Sequence, residues 1–266
     1  VEVMERLCVA AEAPDRTLEL LDEMLAGRGE PRGGLSPAAR VPLPCPIGLR
    51  SRWRCALSSA SMVAAGLVLA AGGGRRVGTP KALLRHDGRL LVEHAVQVVR
   101  DGGCDPVIVV LGAAADRVAA EADLSGVTVR VNRAWTTGLG SSLRMGLAAA
   151  AETGADALLV APVDMPGLTA EAVARVAALP HPRALVCGTF GGRRGLPMLL
   201  GRAHWPGVAT LANADVGARP YLLAHASEVT EIACDQVARG GDLDTPEDLA
   251  QWGIEAQAVD RAEGPR

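Results

Sequence analysis

One lysine stands among 27 basic residues: Lys81, the other 26 being arginine. An ammonium is a compact charge on a flexible stem, whereas a guanidinium is a planar fork. A sole ammonium in an arginine-rich chain therefore draws attention to its surroundings. Lys81 closes the segment Ala70-Ala71-Gly72-Gly73-Gly74-Arg75-Arg76-Val77-Gly78-Thr79-Pro80-Lys81. Glycines let successive backbone N–H groups approach phosphate oxygens as an anion-binding nest. Arg75, Arg76 and Lys81 add charge at the same place. The pattern is neither of two familiar phosphate loops. A P-loop needs Gly-Lys-Ser/Thr, but Gly78 is followed by Thr-Pro-Lys. The dinucleotide fingerprint needs G-x-G-x-x-G, but the spacing here is G-x-G-x-x-x-G. Pro80 also keeps residue 79 from running into a helix. An ordinary glycine turn would explain the glycines and leave the three cations unexplained.

Two acidic segments complement this loop. Val160-Ala161-Pro162-Val163-Asp164-Met165-Pro166 delivers an aspartate at the end of an apolar run. Carboxylates there suit Mg²⁺, which takes oxygen ligands and bridges phosphates, although a turn aspartate before proline is the plainer alternative. Gly240-Gly241-Asp242-Leu243-Asp244-Thr245-Pro246-Glu247-Asp248-Leu249 reads in its second half as a capped helix start. The cap does not account for Asp242 and Asp244, whose spacing places both on one side of an extended segment. Either aspartate could join Asp164 or brace the turn. A further loop, Asn132 to Leu143, offers Gly138 and Gly140 for close approach and Ser141 and Ser142 at a helix start. By itself a serine N-cap would explain it.

The elements that must position these loops alternate. Short apolar runs at 65–70, 106–111, 127–131, 157–163 and 183–186 read as buried strands. A helical stripe from Leu90 to Val99 and Ala- or Leu-rich stretches at 113–122, 142–151 and 169–178 lie between them. Such alternation predicts an α/β fold: one three-layer, Rossmann-like domain with a mostly parallel sheet. Ligands of these sheets bind beyond the carboxyl ends of the strands, where the loops above fall.

At this point a family is recognisable. LVLAAGGGRRVGTPKALL, Asn132 with Trp135 and the G-x-S-S-L that follows, Asp164 and the GDLDTPEDL segment resemble the signature of nucleotidyltransferases that make nucleotide derivatives of pterin cofactors, sugars and related phosphates. The branch most resembled is the molybdenum cofactor cytidylyltransferases, and the likeness runs from Ala65 to Leu249. It implies Mg²⁺-dependent transfer from an NTP, CTP in this branch, to the phosphate of molybdopterin, with release of pyrophosphate. Leu69, Ala70, Ala71, Gly72, Gly73, Gly74, Gly78 and Lys81, with Asn132, Gly138, Ser141 and Ser142, would hold the nucleotide. Lys81, Arg75 and Arg76 would neutralise charge in the transition state, and Asp164 and Asp242 would hold the metal, with Asp244 bracing the turn. Arg194, Gly195, Pro197, Asp215 and Arg219 resemble acceptor-side positions. The usual G-H-P element reads Gly195-Leu196-Pro197, and Leu196 cannot supply the histidine's hydrogen bond; the usual methionine before the last loop glycine is Val77. Rival readings are a guanylyltransferase for the same pterin, a transferase acting on phospholactate or a sugar phosphate, and a non-catalytic chaperone carrying the cofactor to a molybdenum hydroxylase. The double alanine at 70–71 resembles the cytidylyl branch.

Composition excludes other classes. The 266 residues carry a net charge of -3, against nucleic-acid binding by bulk electrostatics. Aromatics are 2%, too few for a base-stacking surface. The five histidines form no H-x-x-x-H pattern, and no G-x-S-x-G elbow is present. The six cysteines lack a C-x-x-C pair, which fits a reducing cytoplasm. Residues 1–61 read as an extension: a leucine-spaced helix at 15–27, then five Pro, five Arg and no acidic residue between Pro31 and Arg54, expected to be poorly ordered. The basic and apolar stretch at 50–74 resembles a secretory signal. It lies too far into the chain, however, is broken by Ser and runs into the glycine loop, and it is short for a membrane span. An alternative makes Met62 the natural start and residues 1–61 an over-called extension. The catalytic domain is expected over 62–256, with a tail at 257–266.

Overall fold

The computed structural model describes residues 62–254. The extension at 1–61, its helix and its arginine-rich arm, and the tail at 257–266 lie outside the described residues.

The first strand, β1 (Ala64–Ala70), is buried along its whole length, as a run of small and branched apolar residues covered on both faces should be. A two-residue turn with Asp87 and Gly88 at positive φ joins the short strands β2 (Arg85–His86) and β3 (Arg89–Leu90). Then follow α1 (Leu91–Asp101), β4 (Val107–Leu111), α2 (Ala115–Glu121), β5 (Thr128–Val131), α3 (Leu139–Ala151), β6 (Ala157–Pro162) and α4 (Ala170–Ala177). The remainder is β7 (Leu185–Phe190), β8 (Arg193–Gly201), α5 (Trp205–Leu211), α6 (Arg219–Ala224), β9 (Thr230–Ala233) and α7 (Pro246–Gln251).

Seven strands form one sheet in the order β5-β4-β1-β6-β8-β7-β9. Only β8 runs against the rest, pairing antiparallel with β6 and β7. The mostly parallel sheet predicted from alternation is therefore correct. Apolar side chains fill both faces. Val68, Leu91, Val99, Val109 and Val173 belong to one core, and Leu67, Ile108, Leu143, Leu147 and Trp205 to the other. Successive β1 residues divide between the two, as strand geometry requires. Gly66 is needed at the centre: a Cβ there would collide with Val99 of α1.

The predicted strand at 183–186 is longer and later, and β8 and β9 were not foreseen. The segment 193–201 hides its strand behind two arginines, a glycine and a proline. The pairing shows why they are tolerated. Cys187 pairs with Met198 but Gly188 with Gly195, so Leu196 and Pro197 bulge from the ladder where no backbone N–H is required. The bulge aims Leu196 into the cleft at the carboxyl ends of the strands.

Candidate active site

Between the glycine loop and the ends of β1 and β6 lies a cleft of about 660 Å³. The loop turns on Gly74, whose carbonyl accepts from the N–H groups of Val77 and Gly78 at 3.0 and 2.7 Å. Gly74 has φ +58°, and a Cβ would strike the Thr79 carbonyl. Gly72 is different. Nothing lies within 4 Å of where its Cβ would be, so its backbone faces open space in the cleft wall. That space is available to a ligand atom. Gly73 is confined by Trp135, whose ring would sit 2.9 Å from an added Cβ.

The carboxylates approach from the opposite wall. Asp164 follows β6, and its backbone carbonyl accepts from Leu243 N at 3.0 Å, which ties the two acidic segments together. Lys81 Nζ donates to Asp164 Oδ2 at 2.6 Å and to Asp244 Oδ1 at 2.9 Å. Arg76 reaches the other oxygen of Asp244 at 3.4 Å. Residues 81 and 164, 83 positions apart, thus share one cavity. Burial alone would lower the pKa of Lys81; the charge of Asp164 and bonds to both carboxylates outweigh it and hold the ammonium above its usual range. The bond from Lys81 keeps Asp244 below the usual carboxylate range. Crowding by protein, followed by repulsion from Asp164, raises Asp242, though that side chain keeps access to solvent.

The cleft is lined by three cations, Arg75, Arg76 and Lys81, and four carboxylates, Asp164, Asp215, Asp242 and Asp244. A triphosphate entering such a wall needs a further cation. The donor set fits a hard divalent ion: an ammonium already lies between two of the carboxylates. Among the described residues no cluster of three or more acidic, His or Cys ligands forms a ready-made cage. Mg²⁺ asks for no such cage, since it binds through one or two carboxylates, substrate phosphates and water.

Other expected residues distribute unevenly. Leu69, Ala71, Gly72, Gly73, Gly74, Gly138 and Ser142 line the cleft, whereas Ala70 is buried and Gly78 is exposed outside the lining. Asn132, expected to touch nucleotide, is 3% exposed and works as a strut. Its Nδ2 donates to Ser141 and Ser142 at 2.8 and 3.0 Å, and its Oδ1 accepts from Ala134 N at 3.0 Å. Ser141 turns back onto the Gly138 carbonyl at 2.8 Å, leaving Ser142 as the hydroxyl of the pair at the cleft.

Of the acceptor-side residues only Asp215 borders the cleft, and it also accepts from Leu139 N at 3.3 Å at the start of α3. Arg194 is drawn away by Glu231 at 2.7 Å. Gly195 and Pro197 flank Leu196, the residue of that segment that faces the cleft. Arg219 begins α6 as an exposed side chain outside the lining. Asp244 does not brace its turn through its side chain. Asp248 does so, accepting from the backbone of Asp244 and Thr245 at 2.9 and 2.8 Å. Trp135, Thr136, Leu139 and Leu196 also line the cleft. Trp135 carried a hint in the adjacent glycine pattern, whereas Leu196 depends on a bulge that no local pattern announces.

The chain is similar to several known proteins. Nicotine blue oxidoreductase of Paenarthrobacter nicotinovorans is 39% identical over 192 residues, 69% of this chain and 93% of that protein. A probable molybdenum cofactor guanylyltransferase of Opitutus terrae is 35% identical over 114 residues, 43% of this chain, which spans 54% of that relative. The crystal structure of Rv0371c from Mycobacterium tuberculosis H37Rv superimposes with a TM-score of 0.64 at 28% identity, over 72% of this chain and 97% of that one. The same protein has been solved in complex with manganese, with a TM-score of 0.59 at 26% identity, over 72% of this chain and 98% of that one. The model of the MobA-like NTP transferase domain matches residues 66–229, a span that holds the glycine loop, Lys81 and Asp164. With that match laid over a parallel sheet whose strand ends gather these residues, the chain belongs to the MobA-like NTP transferases.

Proposed function

We propose that this NTP transferase moves a nucleotidyl group, with Mg²⁺, from CTP to the phosphate of a molybdopterin-type acceptor, releasing pyrophosphate. The observation that carries the reading is the 2.6 Å contact between Lys81 and Asp164 at the mouth of a glycine-lined cleft. Backbone N–H groups at Gly72 and Gly73 would receive phosphate oxygens, and Arg75 and Arg76 would add charge along the same loop. Lys81 would hold the α-phosphate as negative charge gathers on it and on the departing pyrophosphate. Asp164 and Asp242 would hold the divalent ion, whose contribution is to neutralise phosphate charge. The manganese complex of the mycobacterial neighbour supports a divalent ion on this fold. No covalent nucleophile is required, because placement and electrostatics supply the acceleration.

The base is argued from Ala70-Ala71, which resembles the cytidylyl branch; relatives named guanylyltransferases support GTP instead. A second reading has its own support. The relative aligned along most of its length is named an oxidoreductase, and Trp135, Leu139 and Leu196 give the cleft apolar walls suited to a flat heteroaromatic molecule. A carrier role for a molybdenum enzyme is a third reading, in keeping with the relatives named for molybdenum cofactor.

One experiment separates them. Pyrophosphate release is measured with CTP and with GTP, with and without molybdopterin and Mg²⁺, beside dye-dependent oxidation of an added electron donor. Acceptor-dependent pyrophosphate release supports the transferase and names its base. Nucleotide binding without release supports the carrier, and dye-dependent oxidation without release supports the redox reading.

A further inference from the structure

Three of the four aspartates that line the cleft, Asp164, Asp242 and Asp244, do not have the same oxygens to offer. Both oxygens of Asp244 are engaged by cations, Oδ1 by Lys81 and Oδ2 by Arg76. Asp164 gives only Oδ2 to Lys81. Its Oδ1 and both oxygens of Asp242 form no ion pair among the described residues. The oxygens open to a metal thus belong to Asp164 and Asp242, and Lys81 already occupies part of that space. Lys81 is well sheltered, with 14% of its side chain exposed, and among the described residues its ion-pair partners are Asp164 and Asp244.

Asp244 is fixed independently of the metal position. Its backbone N–H and that of Thr245 donate to Asp248, and Thr245 caps α7. The backbone that carries the Asp244 carboxylate is therefore anchored to the helix start, while its neighbour Leu243 ties the same segment to the Asp164 carbonyl and not to the Asp164 carboxylate.

Resting on the metal-dependent reading above, we propose that Asp244 is a positioning residue for Lys81. In the nucleotide-free protein Lys81 and the divalent cation compete for Asp164. When the cation takes Asp164, Asp244 keeps the ammonium in the cleft, ready for phosphate. The metal is then held weakly without nucleotide and firmly with it, because phosphate draws Lys81 off Asp164 and supplies oxygens of its own.

The test is Mn²⁺ binding without nucleotide, by electron paramagnetic resonance or calorimetry on the full chain. It uses the wild type, Lys81→Met, Asp244→Asn and the double variant, with thermal melts to confirm folding. Removing the competing ammonium should tighten Mn²⁺ about tenfold, the scale of a charge-assisted hydrogen bond. Asp244→Asn should weaken Mn²⁺ about tenfold beside Lys81, which then presses wholly on Asp164. In the Lys81→Met background the same change should move affinity less than about threefold, as an exposed charge would. Asp244→Glu, which keeps the carboxylate, should restore wild-type affinity. If Asp244→Asn weakens Mn²⁺ equally in both backgrounds, Asp244 is a ligand and the proposal falls. If Lys81→Met leaves Mn²⁺ affinity unchanged, there is no competition and it falls as well, with the transferase reading intact. If no form binds Mn²⁺ even with NTP present, both fall together.

Discussion

Replacing Lys81 by alanine separates catalysis from stability. The ammonium makes two charge-assisted bonds, at 2.6 Å to Asp164 and 2.9 Å to Asp244. Asp164 has 21% of its side chain exposed and Asp244 has 48%. The second pair is largely screened by water and contributes little. The first is more sheltered, so its loss, with repulsion among the remaining carboxylates, should cost about 1–3 kcal/mol of folding stability. Millimolar Mg²⁺ should return part of this, because an ion that binds only the folded form at about 100 times its dissociation constant contributes about 2.7 kcal/mol. The urea midpoint of the variant should therefore respond to Mg²⁺ more than that of the wild type. Turnover is a different matter. An electrostatic donor aimed at transition-state charge is worth roughly 10²–10³ in rate, about 2.7–4 kcal/mol, and Mg²⁺ should not restore it. Since the pKa of Lys81 is raised, its pairing stabilises the protein fully below the unfolded lysine value near 10.4. It is lost only as pH rises through the higher folded value, so Lys81 itself should contribute no alkaline limb below about pH 10. The assay is pyrophosphate release under single-turnover conditions, beside urea titrations with and without Mg²⁺. A variant that folds and releases pyrophosphate within threefold of wild type would refute the role given to Lys81.

Five further outcomes are expected. Asp164→Asn should fold and lose turnover by roughly 10²–10³, read by the same pyrophosphate assay. Gly74→Ala should destabilise by about 1–3 kcal/mol in urea titration, since its backbone is left-handed and the new methyl meets Thr79. Gly72→Ala, with open space around it, should instead fold normally and raise the KM for NTP. Asn132→Ala removes a strut with three bonds and should cost about 1–3 kcal/mol while raising KM more than it lowers kcat. Burial pushes the thiol of Cys104 up to about 12 and that of Cys187 up to about 11. The folded thiols hold their protons more tightly than the unfolded ones. Stability should thus fall as pH rises past about 9, by about 1–2 kcal/mol per thiol near pH ~10, as unfolding titrations at successive pH values would reveal.

The parallel half of the sheet was legible because burial on both faces forces near-continuous apolar runs, and β1, β4 and β6 carry them. The other edge was obscure for a physical reason. β8 starts with Arg193 and Arg194 because that end is exposed, and it tolerates Pro197 because the ladder is broken there. β9 alternates weakly because the neighbour of an edge strand is solvent on one side. Local pattern reports burial, and these strands are defined by pairing.

The same distinction governs the site. Lys81, Asp164 and Asp242 could be singled out because each is chemically conspicuous where it stands. Their division of labour could not, because it depends on which oxygen faces which cation. Asp244 resembled a turn residue by its place before Thr245, yet the turn is held by Asp248, which frees the Asp244 carboxylate for Lys81 and Arg76. Asn132 resembled a ligand contact because an amide beside a glycine loop has the right chemistry. Its burial shows that the chemistry is spent on two serines and a backbone N–H. Spacing therefore identifies the kinds of group a phosphate site needs, and packing decides which of them meet the substrate and which hold the others in place.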